Sequence, residues 1–301
     1  MPFNLIVILG PTASGKTRLG VEVARALGGE ILSADSRQVY TGMDIGTGKD
    51  LQEYGEVPYH LIDLVPPGHE FNVFEFQRRF YQAFVDISER GALPILVGGT
   101  GLYLDAVLRG YRLVEVPENP VLRRQLAGFP TEALQQRLLA LRPQQHNSTD
   151  LEDRDRLIRA IEIAEGELAA AAELPPPPDI RPLIFGVRWP REVLRQRITR
   201  RLRERLEQGL IEEVEGLRLA GVPFETLEFY GLEYRFVAQF LQGELRRNDM
   251  VQKLNSAIHQ FAKRQETWFR RMERQGTAIH WVDGGETATA AILQRIGDAG
   301  V

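Results

Sequence analysis

Residues 4–9 (NLIVIL) form an unbroken apolar run rich in β-branched side chains and stopped by Gly10. Such a run suits a strand buried on both faces, since a half-exposed strand would alternate apolar and polar positions. A helix is predicted from about Lys16, a second short strand over 30–33 ending at Ala34-Asp35, and a third over 94–97 ending at Gly98-Gly99. Before the third strand, Phe76, Phe80, Phe84 and Ile87 recur at helical steps, opened by Asn72 with Glu75 as a capping pair. Strands alternating with helices predict an α/β fold: a mostly parallel sheet with helices on both faces and right-handed crossovers.

After Gly110 the pattern changes. Residues 111–174 read as short amphipathic helices, followed by an alanine run at 169–172 and four prolines at 175–178 that cannot be helix interior. The expected organisation is a core of 1–110 and 183–301, interrupted by a helical insertion over 111–182. Residues 183–187 are a further candidate strand. Beyond Arg191, Leu194, Ile198, Leu202 and Leu206 make one apolar helical stripe, and Met250, Leu254, Ile258, Phe261, Trp268 and Met272 make another. No internal repeat is visible.

Composition narrows the chemistry. The chain has no cysteine, and its five histidines are scattered without ligand spacing, so thiolate, iron–sulfur and zinc chemistry are not expected. No apolar run is long enough to span a membrane, and a cytoplasmic protein is expected. The net charge of −4 argues against a nucleic-acid partner, but it hides an asymmetry. Residues 181–275 carry 19 Lys/Arg against 13 Asp/Glu, and the rest of the chain 18 against 28. Those arginines are either solvated helix faces paired with glutamates or a surface for an anionic partner.

Gly10, Pro11, Thr12, Ala13, Ser14, Gly15, Lys16 and Thr17 fit G-x-x-x-x-G-K-[ST], placed after a predicted strand and before a predicted helix as that phosphate loop requires. Backbone N–H groups turn inward around a phosphate, the helix N-terminus and Lys16 add positive charge, and Thr17 can ligate Mg²⁺. The loop is silent on what its phosphates carry. ATP and a prenyl diphosphate offer much the same oxygens.

Ligands of an open parallel sheet bind beyond the carboxyl ends of its strands. Asp35 lies 19 residues past Lys16, room for one helix and a return strand, so its carboxylate comes back to the phosphate edge as a candidate general base or metal ligand. Asp63 is a second, weaker carboxylate candidate. Gly98 to Gly101 ends the third strand with glycines that permit close approach, and Thr100 offers a hydroxyl to a phosphate oxygen. A phosphoryl-transfer enzyme would usually end that strand in an aspartate for magnesium instead. Seven arginines fall within 191–205, several on the outer helix faces, where one or two can reach over the phosphate loop and others can hold RNA phosphates. Basic residues also surround Phe261, Trp268 and Phe269, although the helical period puts Phe261 and Trp268 in the core.

Taken together, GPTASGKT at 10–17, DSRQVYTGMDIGTGK at 35–49, LVGGTGLY at 96–103, RLIRAIEI at 156–163 and HQFAKRQETWFRR at 259–271 closely resemble the tRNA dimethylallyltransferases. The likeness spans nearly the whole chain, and the DSRQVY and AKRQ-x-TW segments are more specific than the phosphate loop. It implies a P-loop NTPase-like fold and transfer of a dimethylallyl group from its diphosphate to N6 of the adenosine just 3′ of the anticodon, in tRNAs reading U-starting codons. By resemblance, Asp35 is the base, Thr100 bonds the oxygen bridging allyl carbon and diphosphate, and Lys16, Thr17 with Mg²⁺, and Arg201 hold the diphosphate. The implied tRNA contacts are Asp35, Ser36, Arg37, Gln38, Thr100, Arg123, Arg156 and Arg159, with the insertion clasping the anticodon stem of a tRNA bound to a monomer.

The chain departs from the commoner family pattern at 146–150 (HNSTD) and at Gly231-Leu232. Two other readings use the same loop: an adenylate isopentenyltransferase acting on a free nucleotide, and an RNA-binding P-loop ATPase. The insertion and the basic C-terminal helices argue against the former.

Overall fold

The computed structural model describes residues 2–141, 151, 153–170 and 176–299. The 146–150 departure, part of the alanine run and Pro175 lie outside the described residues. The chain divides into two units, one of 1–110 with 178–301 and the other of 111–177.

In the first unit, β1 (Leu5–Leu9), β2 (Gly29–Ala34), β3 (Tyr59–His60), β4 (Leu93–Gly98), β5 (Pro182–Arg188) and β6 (His280–Asp283) form one sheet in the order β3-β2-β4-β1-β5-β6. Every pairing is parallel. The apolar run of β1 is continuous because both faces are covered. Ile6 and Ile8 pack in one core with Ile31, Ile95 and Phe185, while Leu5, Val7 and Leu9 pack in another with Leu32, Leu96 and Ile184. The α/β expectation is borne out. The sequence reading missed β3 and β6, which are two and four residues long and carry no residue buried like those of β1.

One core is closed by α1 (Lys16–Leu27), and the other by α2 (Val73–Glu89) and α3 (Gly101–Leu108). Asn72 caps α2, its side chain accepting from the Glu75 N–H at 3.0 Å. The Glu75 carboxylate pairs with Arg79 and His69.

The second unit contains α4 (Pro120–Ala127), α5 (Thr131–Leu141) and α6 (Arg154–Ala170), which share a small core of Leu126, Leu134, Leu138, Leu157 and Ile161. Back in the first unit follow α7 (Arg191–Glu207), α8 (Leu210–Leu219), α9 (Phe224–Phe229), α10 (Leu232–Leu241), α11 (Arg247–Arg274) and α12 (Ala288–Ala299). No helix among the described residues is long and apolar enough to cross a membrane.

Two helix faces differ from expectation. On α11 the buried positions are Met250, Leu254, Ile258, Ala262, Gln265, Phe269 and Met272, whereas Phe261 is 39% exposed and Trp268 half-buried. Steps of four and three from Ile258 select Ala262 and Gln265, which leaves Phe261 at the margin of the stripe. On α7 the stripe of Leu194, Ile198 and Leu202 continues into Arg205, so one guanidinium turns inward rather than outward.

Candidate active site

The phosphate loop follows β1 and is braced from three sides. Ala13 adopts a left-handed backbone (φ 60°), and Gly15 does so at the mouth of α1 (φ 86°). A non-glycine residue in that region costs about 1 kcal/mol or more and persists only where its surroundings enforce it. Here the Ala13 carbonyl accepts from Arg197 Nε at 2.8 Å, and the Ser14 carbonyl accepts from Trp189 Nε1 at 2.8 Å. On the opposite flank the Thr12 N–H donates to Gln265 Oε1 at 2.8 Å, while Gln265 Nε2 donates to the Gly99 carbonyl at 2.9 Å. One buried amide thus ties the loop after β1 to the turn after β4. The Ser14 hydroxyl is buried without a hydrogen-bond partner.

Asp35 and Thr100 stand at the carboxyl ends of the adjacent strands β2 and β4. Gly98 makes this possible, since a Cβ there would sit 2.6 Å from the Ala34 carbonyl carbon. The Thr100 N–H donates to the Ala34 carbonyl at 3.2 Å, and its hydroxyl accepts from the Ser36 N–H at 3.1 Å. Asp35 Oδ1 accepts from the Arg37 N–H at 2.9 Å, leaving the rest of a half-buried carboxylate available. Gln38 is buried and bonded at both ends of its amide, accepting from the Ser33 hydroxyl at 2.8 Å and donating to the Gly48 carbonyl at 3.0 Å.

The segment 44–50 forms the facing wall. The Glu213 carboxylate gathers the N–H groups of Asp44, Ile45 and Gly46 at 2.7–2.9 Å. Lys49 is fully buried, bonded to the Tyr40 carbonyl at 2.8 Å and paired with Asp44 and Asp63. Asp63 is therefore the counter-ion of a buried lysine, the structural alternative to a catalytic carboxylate.

Between the phosphate loop and α7 lies a cavity of about 300 Å³ lined by Ala13, Gly15, Lys16, Thr17, Asp50, Glu53, Arg197, Arg200, Arg201, Glu204, Arg205 and Gln208. Arg201 donates to Asp50 and, at 3.5 Å, to the Gly48 carbonyl. Arg205 reaches Glu233 at 3.2 Å and the Gly46 carbonyl at 3.3 Å. Burial pulls Lys16 down to about 8, with Arg201 and Arg205 adding to the fall and Asp35 opposing it. Burial likewise lowers Arg205 to about 10, reinforced by Arg201 and opposed by Glu233. Arg197 is lowered by burial and by Arg200 and Arg201, whereas burial raises Glu53 and Glu233. Burial is the leading cause of each of these shifts, and the arginines add to it at Lys16, Arg197 and Arg205, so a bound anion would favour the charged forms of these three cations.

Of the residues that the sequence reading named, Lys16, Thr17 and Arg201 line the cavity, whereas Asp35 and Thr100 stand at the strand ends and are not part of its lining. That reading missed Asp50, Glu53, Arg197, Arg205, Glu213 and Gln265. Arg197 and Arg205 lay within the arginine run without being singled out, and the others carried no signal beyond the quoted segments. Ser36, Arg37 and Gln38 follow Asp35 in the first unit, and the other expected tRNA contacts, Arg123, Arg156 and Arg159, lie in the second. Arg123 (3.0 Å) and Arg159 (2.5 Å) both grip Glu162, whose side chain is 1% exposed. Arg156 is largely exposed, with only a long 3.8 Å approach to Asp153.

Among the described residues no cluster of three or more His, Asp or Glu could hold a metal by itself. The Thr17 hydroxyl and the Asp50 and Glu53 carboxylates do border the cavity, a hard-oxygen set that suits Mg²⁺ sharing its coordination with phosphate oxygens and water.

A model of the IPP transferase family matches residues 38–272, and one of isopentenyl transferases matches 3–56. The chain is 70% identical to tRNA dimethylallyltransferase 1 of Geotalea daltonii over 97% of this chain and 95% of that one. It is 67% identical to tRNA dimethylallyltransferase 2 of Syntrophotalea carbinolica, over 98% and 99%. Among solved structures, the tRNA isopentenylpyrophosphate transferase of Bacillus halodurans superposes with a TM-score of 0.71 at 33% identity, covering 99% of this chain and 96% of that one. A eukaryotic dimethylallyltransferase described as acting on tRNA superposes with a TM-score of 0.78 at 26% identity, covering 97% and 77%. With one model spanning most of its length and relatives this similar from end to end, the chain belongs to the IPP transferase family.

Proposed function

We propose that the chain transfers a dimethylallyl group from dimethylallyl diphosphate to N6 of the adenosine 3′ of the anticodon in tRNAs reading U-starting codons, releasing diphosphate. The observation that carries this reading is the meeting of Lys16, Thr17 and Arg201 on one cavity, with the Asp35 carboxylate close enough to oppose the fall of Lys16. A diphosphate held by Lys16, Thr17 and Arg201 leaves its allylic end directed to the strand edge where Asp35 and Thr100 stand. Relatives named tRNA dimethylallyltransferase support the same acceptor over a free nucleotide or an ATPase cycle.

In this reading the adenine amine attacks the allylic carbon. The new N6–C bond forms as the C–O bond to diphosphate breaks, and the N6 proton passes to Asp35. Thr100 donates to the bridging oxygen as it takes up the bond's electron pair. Arg201 and Lys16 stabilise the negative charge that gathers on the leaving group, in surroundings that already favour an anion. Mg²⁺, held by Thr17 and the diphosphate itself, would supply further Lewis-acid neutralisation. Gln265 and Gln38 act by position, fixing the phosphate loop and the 44–50 wall.

Reaching N6 requires the adenine to leave the anticodon-loop stack. Ser36 and Arg37 border the acceptor side. Arg123, Arg156 and Arg159 belong to a helical insertion that we assign to the anticodon stem, with Arg156 the one most open to a phosphate. The assigned setting is a cytoplasmic monomer.

The test is incubation of purified protein with Mg²⁺, dimethylallyl diphosphate and an unmodified anticodon stem-loop carrying adenosines after a U-rich anticodon, read by mass spectrometry. Gain of one five-carbon unit on the loop is expected. Transfer only to AMP or ADP, or ATP hydrolysis without transfer, would replace this reading.

A further inference from the structure

Phe229, the last residue of α9, is 64% exposed, although Leu227 and Tyr230 beside it are buried. A lone exposed phenyl ring needs no explanation, but this one is neither loose nor alone. Its edge meets Tyr230, centroids 6.1 Å apart at 68°. Tyr230 in turn packs 4.5 Å from Tyr40 and is fastened through its hydroxyl to the Gly68 N–H. The ring therefore rests on a fixed aromatic seat while remaining mostly exposed.

Above that ring, 5.2 Å from its centroid, lies the Arg37 guanidinium. Among the described residues no carboxylate pairs with it, unlike Arg123, Arg159, Arg201 and Arg205, each of which forms an ion pair. The Arg37 N–H is meanwhile bonded to Asp35 Oδ1. A planar cation on an open aromatic ring is thus joined through one peptide unit to the carboxylate assigned as base.

We propose that Phe229 and Arg37 form a stacking platform for the nucleobase next to the target adenosine. The proposal rests on the function proposed above and deepens it. When the target base leaves its stack, a flanking base loses a stacking neighbour, and a protein π-face within reach of the flipped base's site replaces it. Phenyl and guanidinium planes both stack on bases without reading their edges, so the platform grips the strand whatever the flanking letter. The flanking base on either side of the target has the required chemistry, and the test separates the two.

Phe229→Ala is compared with wild type on three stem-loops: intact, abasic one position 5′ of the target, and abasic one position 3′ of it. Phe229 is mostly exposed, so the variant is expected to fold, and an unchanged KM for dimethylallyl diphosphate checks this. On the intact loop, Phe229→Ala is expected to raise the RNA KM by about fivefold to a hundredfold, the range for losing one base–aromatic stack. Phe229→Trp and Phe229→Tyr should restore it. One of the abasic loops should show the same penalty with wild type and no further loss with the variant, which identifies the stacked base. 2-Aminopurine at that position should be quenched by wild type and not by Phe229→Ala. An unchanged RNA KM for Phe229→Ala, or an equal penalty on all three loops, overturns the platform while leaving the transferase reading intact. Absence of any transfer to RNA by wild type overturns both.

Discussion

Arginines cluster in two places in this chain, and the two clusters are neutralised very differently. In the second unit Arg123 and Arg159 converge on one buried carboxylate, Glu162, whose other oxygen takes the Asn119 N–H. Burial alone would raise Glu162, yet these donors outweigh it and hold the carboxyl below its usual range. Around the phosphate loop Lys16, Arg197, Arg200, Arg201 and Arg205 share a cavity with Asp50, Glu53 and Glu204, and Lys16, Arg197 and Arg205 are all pushed down, first by burial and then by neighbouring arginines. Identical side chains serve as internal cement in one unit and as the lining of a candidate anion site in the other. The separating quantity is how much opposite charge the fold itself supplies, not how many arginines the sequence contains.

Lys16→Met gives the sharpest break of that contrast. It removes a cation whose charge burial disfavours but that the departing diphosphate needs. Turnover on the stem-loop is expected to fall about a thousandfold, the scale of losing one preorganised electrostatic contact. The melting temperature without ligand should rise by about 2–4 °C as a poorly tolerated charge disappears. A fall in both would mean the cavity cations also hold the fold together, as those of the second unit do.

Glu162→Gln probes the opposite pole. Removing one partner of a buried ion cluster usually costs about 3–5 kcal/mol. Arg123 and Arg159 are 34% and 27% exposed and can rehydrate, so a cost of about 2 kcal/mol is expected. Hydrogen exchange on the full chain should show faster opening of α4 and α6 amides, with the sheet of the first unit unchanged. Unaltered protection in α6 would show that Glu162 is dispensable and the contrast false.

This contrast also marks the limit of what the sequence reveals. Lys16, Thr17, Asp35 and Thr100 are legible because each follows a strand, and strand ends in a parallel sheet are where ligands bind. β1 is legible because burial on both faces leaves no polar position in its run. Arg205 and Gln265 are not, since a polar residue on an apolar stripe reads as a surface position until its partner is known. For Gln265 those partners are the Thr12 N–H and the Gly99 carbonyl, more than 160 positions away in each case. Glu162 hides for the same reason, as one acid among the arginines of an amphipathic helix. Phe261 misleads because a three-residue step from Ile258 is as helical as the four-residue step that the packing selects.

The mildest perturbation, proton concentration, sharpens the comparison without changing a residue. In the free protein Lys16 has been brought down to about 8, first by burial and then by Arg201 and Arg205. A bound diphosphate must draw it back up, because an anion favours the charged form. From about pH 7, above the last ionisation of a phosphate group at about 6, up to about pH 8, Lys16 already carries its proton and donor affinity should be level. Above pH 8 the proton must be taken up on binding, and affinity should weaken, approaching tenfold per pH unit until the ammonium of the complex itself titrates. Calorimetry at pH 8.5 in buffers of different ionisation enthalpy should report proton uptake accompanying dimethylallyl diphosphate binding. Lys16→Arg, whose side chain stays charged, should bind more weakly but lose that pH dependence. Affinity that stays flat to pH 9.5 in wild type would show that burial does not bring Lys16 down in the free protein, and would remove one physical basis for distinguishing the cavity from the Glu162 cluster.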